Sequence, residues 1–295
     1  MPWPFRRGED DTLTGDQMAF PSPFGQTPAA ARMPWRLPDE PALSGIAADA
    51  ASVGGLTVRA ASLVGPGHRC AEPAGPRQDA YKLGRDAAGR YLIVAVADGM
   101  SDSSRAHLGA SVAVSALVGR LRADLNRDAP LRAPEIFLEA ARQMSGAAEQ
   151  FGVTENDVRA AALAAVIPVL PDGSGRREIW LASVADVCGW LREPRGWRRL
   201  AGAEKTGFDA GTLTEFLPFH PDRATATTVV LEPGAVVALT SDGVGDALGQ
   251  AEATSAWFAE RWTRPPHISL FLQEVGFEAN GHLDDRTAVV VWCGP

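Results

Sequence analysis

The chain has 295 residues, of which 45% are hydrophobic, so it can bury the core of one large domain or of two small ones. Its formal net charge at pH 7 is −8, and no run of Lys or Arg forms the basic stripe that attracts a phosphate backbone. We therefore expect no nucleic-acid partner. Cys70, Cys188 and Cys293 form no C-x-x-C pair, which argues against a disulfide framework and a zinc knuckle.

The first residues do not lead into an apolar signal stretch. No window of the chain approaches about 18 consecutive apolar residues, the length needed for a membrane-spanning helix. These features predict neither secretion nor membrane insertion. Together with the unpaired pattern of cysteines, they predict a protein of the reducing cytoplasm.

The N-terminal segment, residues 1–53, is rich in Pro, Ala, Gly and Asp, and its scattered apolar residues follow neither a helical nor a strand period. We predict a disordered tail here, followed by one domain at residues 54–295. Tryptophans such as Trp3 and Trp35 are more than solubility requires, which leaves open that part of the tail packs on the domain or on a partner.

The rest of the chain alternates between strand and helix patterns. Strands are predicted at 56–65 and 91–98, and they are followed by helices at 104–125 and 134–151. Three strands follow at 161–170, 177–186 and 188–193. A segment without clear period, from about Gly202 to Ala224, is predicted to be a long loop or flap over a site. The chain then continues with strands at 226–232 and 235–242, helices near 250–262 and 268–279, and a closing strand at 286–293.

Strands dominate both ends of this series, and the helices come in pairs. That grouping argues against regular βαβ alternation. We predict an α+β fold: a four-layer αββα sandwich in which two mostly antiparallel sheets are flanked by helix pairs.

Aspartates stand where several of the predicted strands begin or end. Asp79 precedes Tyr81, Asp98 ends one apolar run, Asp242 ends another, and Asp284–Asp285 precedes the last strand. A single Asp-Gly pair is most simply a turn. Strand ends meet in layered sheets, however, so carboxylates at several ends can converge although they are distant in sequence.

Converging carboxylates repel one another, and burying them costs stability unless cations neutralise them. Oxygen ligands without nearby His or Cys select hard ions, so the pattern predicts Mg²⁺ or Mn²⁺ rather than zinc. Two such ions about 3.5–4 Å apart would lower the pKa of a shared water and offer it in line to a phosphoryl group.

Five motifs in order carry a resemblance to a known family: QDA at 78–80, VADGM at 96–100, SVAD at 183–186 with GWL after it, TSDGVGD at 240–246, and DDRTAVVV at 284–291. The series resembles the motif set of the protein phosphatase 2C family, the PPM-type phosphatases, over residues 56–293. The stretch SLVGPGHR, followed by a short insert and QDA, is similar to a bacterial branch of that family.

The resemblance implies roles for individual residues. Asp98 would bridge two metal ions, with the backbone carbonyl of Gly99 on the second ion. Asp242 and Asp284 would complete the first site, and Asp79 would join the second through bound water. Asp284 is preferred over its neighbour Asp285, which aligns with a position often occupied by Asn.

A third, weaker metal is implied at Asp186 and Asp246. For Asp246 there is an equally good plain interpretation, an acid near a helix N-terminus that the helix dipole favours. The sequence also departs from the family pattern here, since Ala185 replaces the glycine before Asp186. Ser101 and Asp102 likewise replace the usual glycines after Asp98-Gly99.

The residue that grips the substrate phosphate is open among Arg69, His68 and Arg77. Arg69 is preferred because a guanidinium can bind phosphate through two hydrogen bonds. His68, with an ordinary pKa, could instead give a proton to the leaving oxygen. Either of these residues could equally be an exposed polar residue of a loop.

The function implied is hydrolysis of phosphoserine and phosphothreonine on a protein substrate of a Ser/Thr kinase, by a metal-bridged hydroxide and without a covalent intermediate. The enzyme would act as a monomer. A pseudophosphatase that binds phosphoproteins as a regulatory scaffold is the alternative, suggested by the altered glycines and the uncertain phosphate residue. A hydrolase of nucleotides or small phosphoesters is a third hypothesis.

Overall fold

A computed structural model describes residues 35–39, 43–203, 214–249, 252–279 and 281–294. Its strands form two sheets, and every strand pairing in the described residues is antiparallel. The five-stranded sheet has the order β3-β4-β5-β6-β9. Its strands are β3 (Ala80–Arg85), β4 (Tyr91–Gly99), β5 (Ala160–Pro168), β6 (Arg177–Val184) and β9 (Thr225–Leu231).

The six-stranded sheet has the order β1-β2-β11-β10-β7-β8. Its strands are β1 (Ile46–Val53), β2 (Leu56–Leu63), β7 (Cys188–Glu193), β8 (Gly196–Ala201), β10 (Val236–Thr240) and β11 (Arg286–Cys293). The strand β11 lies inside this sheet and is buried along its whole length. That explains why its sequence is nearly continuous in β-branched and apolar residues.

The two sheets pack face to face, and their inner side chains form one apolar layer that includes Val58, Val94, Leu163 and Val289. On the outside of the five-stranded sheet lie α2 (Ala106–Asn126) and α3 (Ala133–Phe151). The helix α3 has Pro134 in its first turn and ends at Gly152, whose φ of 68° is easily adopted by glycine.

Three helices cover the outer face of the six-stranded sheet: α4 (Asp242–Gly249), α5 (Glu252–Arg261) and α6 (Ile268–Val275). Aromatic side chains fill the space beneath them, including Phe258, Trp262 and Phe271, which are fully buried. A short helix, α1 (Pro66–Arg69), follows β2. The layers are therefore helices, sheet, sheet, helices, and the predicted αββα sandwich is confirmed.

The boundary predicted between tail and domain is too late. Residues 46–53 form β1, which pairs with β2 along its whole length. Residues 1–34 and 40–42 of the predicted tail lie outside the described residues, as do residues 204–213 of the predicted flap. The described end of that flap has a β-bridge between Leu217 and Ala160 and a short 3-10 helix, Pro221–Arg223. Among the described helices, none has the length and apolarity needed to span a membrane.

Candidate metal centre

Strand pairing brings the aspartates together at one end of the sandwich. In the five-stranded sheet Ala80 pairs with Ala97, so the preceding Asp79 stands opposite Asp98. In the six-stranded sheet Thr240 pairs with Ala288, so the chain ends carrying Asp242 and Asp284 are neighbours. Each sheet therefore contributes two carboxylates.

Two hydrogen bonds join these pairs across the sheets. The hydroxyl of Ser241 donates to Asp79 Oδ2 at 2.6 Å, and the backbone N–H of Asp242 donates to Asp98 Oδ2 at 3.3 Å. Thr287 anchors the Ser241 side, because its N–H donates to the Ser241 hydroxyl at 3.0 Å. The four carboxylates thus belong to one connected edge of the molecule.

The carboxylates raise one another's pKa values. Burial, followed by the charge of Asp285, holds the pKa of Asp79 well above its usual range. Burial, followed by the charges of Asp79 and Asp242, does the same to the pKa of Asp98. The pKa of Asp284 rises to about 6, through burial and then the charge of Asp242. Protonation relieves this repulsion at low pH, and bound cations would relieve it at neutral pH.

Glycines allow the backbones at this edge to approach closely. A Cβ on Gly243 would lie 2.0 Å from the carbonyl oxygen of Asp285. A Cβ on Gly99 would lie 2.8 Å from the carbonyl oxygens of both Ala106 and Gln78. The two Asp-Gly pairs are therefore required by backbone packing around the carboxylates, in addition to any role in a turn.

This donor set fits hard divalent cations. It consists of carboxylate oxygens, and hard ions such as Mg²⁺ and Mn²⁺ prefer oxygen ligands. Burial and mutual repulsion raise the pKa values of Asp79, Asp98 and Asp284, and bound cations would lower them. The structure thus brings Asp79, Asp98, Asp242 and Asp284 to one edge, as the sequence predicts.

A tighter set of potential ligands lies beside them. In the described part of the chain, the donor atoms of His68, Asp284 and Asp285 lie within 4.8 Å of one another. Asp79, Asp98 and Asp242 do not belong to that set. A pair of ions about 3.5–4 Å apart, however, would be bound by ligands spread over a longer distance than one ion requires.

The Asp285 side chain is already occupied by donors from this chain. Its Oδ1 accepts hydrogen bonds from the Gly65 N–H at 2.6 Å and from His68 Nδ1 at 2.9 Å, and its Oδ2 accepts one from the Gln78 N–H. Asp285 is 1% exposed. These contacts favour Asp284 over Asp285 as a cation ligand.

The two residues expected to bind a third ion, Asp186 and Asp246, lie in different kinds of structure, one in a turn and one in a helix. Asp186 is buried in the turn between β6 and β7, and its charge contributes to the raised pKa of Asp98. Ala185 before it has a φ of 68°, the left-handed conformation that glycine adopts readily. Asp246 lies one turn after Asp242 in α4, and its charge acts on His282.

Burial argues against Arg69 as the residue that grips phosphate, contrary to the preference from sequence. Arg69 is 1% exposed, and its Nη2 makes a 2.7 Å ion pair with the buried Glu278. Arg77 is also buried, and it donates to the Ser62 hydroxyl at 2.6 Å and to the carbonyl oxygen of Ser44 at 3.0 Å. Both guanidinium groups are therefore bound to groups within the chain and stabilise the structure around the site.

His68 retains partial exposure, 18% of its side chain. Burial alone would lower its pKa, but the hydrogen bond to Asp285 and the charges of Asp285, Asp284 and Asp79 outweigh burial, and the pKa is raised. The ordinary pKa expected from sequence is therefore wrong for the metal-free protein. Cations at the neighbouring carboxylates would reduce this upward shift.

Sequence reasoning missed two supporting residues. It noticed Ser241 only as part of the TSDG motif, although its hydroxyl holds Asp79. Sequence reasoning considered Asp285 only as the less suitable metal ligand, although the Asp285 carboxylate accepts hydrogen bonds from three groups. The motif letters contain a signal for both, but partners 162 and 217 residues away become visible only in the fold.

Two antiparallel sheets with carboxylates at one shared edge define a class of metal-binding α+β sandwich. The sequence profile of the family described as "Protein phosphatase 2C" matches residues 65–268, which is more than half of the chain. The chain belongs to the protein phosphatase 2C family. No curated protein is significantly similar to it in sequence.

Solved structures agree with this assignment at the level of the fold. The catalytic domain of the serine/threonine protein phosphatase PstP, in complex with two manganese ions, is 19% identical with a TM-score of 0.54, covering 81% of this chain and 99% of that one. RsbX in complex with magnesium is 16% identical with a TM-score of 0.50, covering 83% and 99%. A serine/threonine phosphatase of S. agalactiae is 16% identical with a TM-score of 0.54, covering 80% and 99%.

Proposed function

We propose that this protein is a metal-dependent phosphatase that hydrolyses phosphoserine and phosphothreonine on proteins. One observation carries the proposal: the family's acidic motifs, distant in sequence, meet at one edge where Asp242 N–H contacts Asp98 across the two sheets. The PstP domain with manganese and RsbX with magnesium support the same type of ion here.

The proposed ligands of two Mn²⁺ or Mg²⁺ ions are the carboxylates of Asp79, Asp98, Asp242 and Asp284 and the carbonyl of Gly99. Asp186 and Asp246 are the proposed ligands of a third. Bound cations supply a water of lowered pKa as nucleophile and positive charge for the phosphoryl oxygens. The charges of Asp79 on its own sheet and of Asp242 and Asp284 on the other sheet all act on Asp98, so we propose it as the ligand that would contact both ions.

His68 is the proposed proton donor to the leaving oxygen. Asp285 occupies its Nδ1 at 2.9 Å, so the ring orientation is fixed and Nε2 is the atom left for substrate. A serine or threonine alkoxide is a poor leaving group, and protonation as the P–O bond breaks lowers the barrier. Substrate would be a phosphoprotein made by a Ser/Thr kinase, and the enzyme would act as a monomer.

A phosphoprotein-binding pseudophosphatase is the second candidate, and one observation favours it. Arg69 and Arg77, the two arginines near the first acidic motif, are both buried and occupied by contacts within the chain. A site without an arginine clamp would orient substrate less well.

The deciding experiment measures phosphate release from a phosphothreonine peptide and hydrolysis of p-nitrophenyl phosphate, with Mn²⁺, Mg²⁺ or EDTA. Wild type should act only with metal, Asp98→Ala and Asp242→Ala should lose activity, and the exposed-site control Asp222→Ala should retain it. Wild-type activity in either aspartate variant contradicts the two-ion assignment. Tight phosphopeptide binding by calorimetry without turnover at saturating Mn²⁺ would favour the scaffold.

A further inference from the structure

Residues 35–36, which precede β1, contact residues 65–75. That stretch contains α1 with His68 and the turn that follows it, and we call it the His68 loop. The backbone N–H of Arg36 donates to the Arg69 carbonyl oxygen at 3.1 Å. The Arg36 guanidinium donates to the carbonyl oxygens of Cys70 and Ala71, at 3.2 Å each, and pairs with Glu72 at 3.4 Å. One arginine therefore spans the turn that follows α1.

Trp35 covers the side chain at the base of the same loop. The Arg69 guanidinium carbon lies 4.6 Å from the centre of the Trp35 ring. Arg69 in turn pairs with Glu278 at 2.7 Å, and both are almost fully buried. The negative face of the indole ring attracts the guanidinium and covers the Arg69 side of the ion pair.

The loop itself reaches the candidate metal centre at its other end. Within it, Arg69 N–H donates to the Gly65 carbonyl and Gly75 N–H to the His68 carbonyl, so hydrogen bonds connect its two ends. Gly67 N–H donates to the Leu283 carbonyl oxygen at 2.7 Å, next to Asp284. His68 then meets Asp285. The contacts of Trp35 and Arg36 thus lie one to four residues from His68 along the chain.

We propose that Trp35 and Arg36 are positioning residues: they hold the His68 loop so that His68 stays beside Asp285 at the candidate metal centre. The inference rests on the proposed function of His68 as proton donor. Its consequence is that residues 35–36 support the active site, and displacing them lowers turnover without altering any metal ligand.

The test uses the full chain with Trp35→Ala, Arg36→Ala, the conservative Trp35→Phe, and Leu37→Ala as control, since Leu37 is 89% exposed in the same segment. Amide hydrogen exchange should speed up in residues 65–75 of the two alanine variants, with Trp35→Phe and Leu37→Ala close to wild type. Arg36 is partly exposed, so its variant keeps the test intact if Trp35→Ala does not fold.

Kinetics separate positioning from a purely structural role. At saturating Mn²⁺, kcat for a phosphothreonine peptide should fall roughly 10-fold to 100-fold in the alanine variants. The fall should be much smaller for p-nitrophenyl phosphate, whose leaving group departs without a proton. Unchanged exchange, or faster exchange with unchanged peptide turnover, overturns the proposal. Inactive wild type would instead reject the proposed function, while the exchange data still report whether residues 35–36 order the loop.

Discussion

His68 and Asp285 form a hydrogen-bonded pair, with 2.9 Å between Nδ1 and Oδ1, although they lie 217 residues apart in the chain. The same carboxylate accepts the N–H groups of Gly65 and Gln78. Asp285 thereby connects the segments that precede α1, β3 and β11. This side chain fixes the spacing between the candidate proton donor and the neighbouring acid Asp284.

Asp285→Asn should destabilise the protein by about 1–3 kcal/mol, because an amide replaces one acceptor oxygen with a donor that faces an N–H group. Urea unfolding with Mn²⁺ present measures this. The control Asp222→Asn, at an exposed position, should change stability by less than about 0.5 kcal/mol. Equal stability of Asp285→Asn and wild type would show that the three donors do not depend on the carboxylate.

The metal-free protein should lose stability as pH rises through the titration of Asp284. Its pKa is raised from 3.8 to about 6 in the folded state, first by burial and then by Asp242. The folded form therefore binds a proton that the unfolded form releases, and this contribution to stability is lost between about pH 4 and pH 6 as pH increases.

Thermal unfolding in EDTA at about pH 5 and about pH 7.5 checks this, with Asp284→Asn as the matched variant. The variant should show a smaller fall in Tm between the two values than wild type. Mn²⁺ should stabilise wild type more at the higher pH, because protons compete with the cation for the same oxygens. The same pH dependence in both proteins would contradict the prediction.

Gly243→Ala should cost at least about 2 kcal/mol of stability, since its Cβ would lie 2.0 Å from the Asp285 carbonyl oxygen and the backbone must shift. Gly119→Ala in α2 is the control, because nothing lies within 4 Å of its added Cβ. That variant should gain up to about 1 kcal/mol through helix propensity. Denaturant midpoints of the two variants should move in opposite directions, and a neutral Gly243→Ala would refute the close packing.

Ala185→Gly should stabilise the protein by about 1 kcal/mol, because Ala185 has a left-handed φ of 68° that costs an L-residue energy and glycine little. The control Ala87→Gly, in the exposed turn between β3 and β4, should instead lose up to about 1 kcal/mol through the greater freedom of the unfolded chain. Thermal unfolding distinguishes them. A loss of stability in Ala185→Gly would show that the methyl group's packing outweighs the strain.

The interior strands and the edge strand β9 were predictable from sequence, whereas the edge strands β1 and β8 were not. β4 and β11 are continuous apolar runs bounded by aspartates, because both of their faces are buried. β1 and β8 are edge strands that are largely exposed or half-buried, so their sequences lack a strong period. The start of β3, also at an edge, was indicated only by Asp79 before Tyr81.

In the candidate site, too, some residues could be predicted from sequence and others could not. The positions of Asp79, Asp98, Asp242 and Asp284 follow from strand ends and motif order. The role of Arg69 could not be inferred, because its partner Glu278 lies 209 residues away and only the fold shows that both are buried. From sequence alone, Arg69 is therefore predicted to be an exposed phosphate ligand, and only its neighbours in the fold show that it is not.

The carboxylates at the shared edge come in pairs from different sheets, with Asp79 and Asp98 on one and Asp242 and Asp284 on the other. Any sliding of one sheet over the other changes the separation between the pairs while leaving the geometry within each pair unaltered. Small shear movements between the two sheets would thus change the distance between the two carboxylate pairs directly.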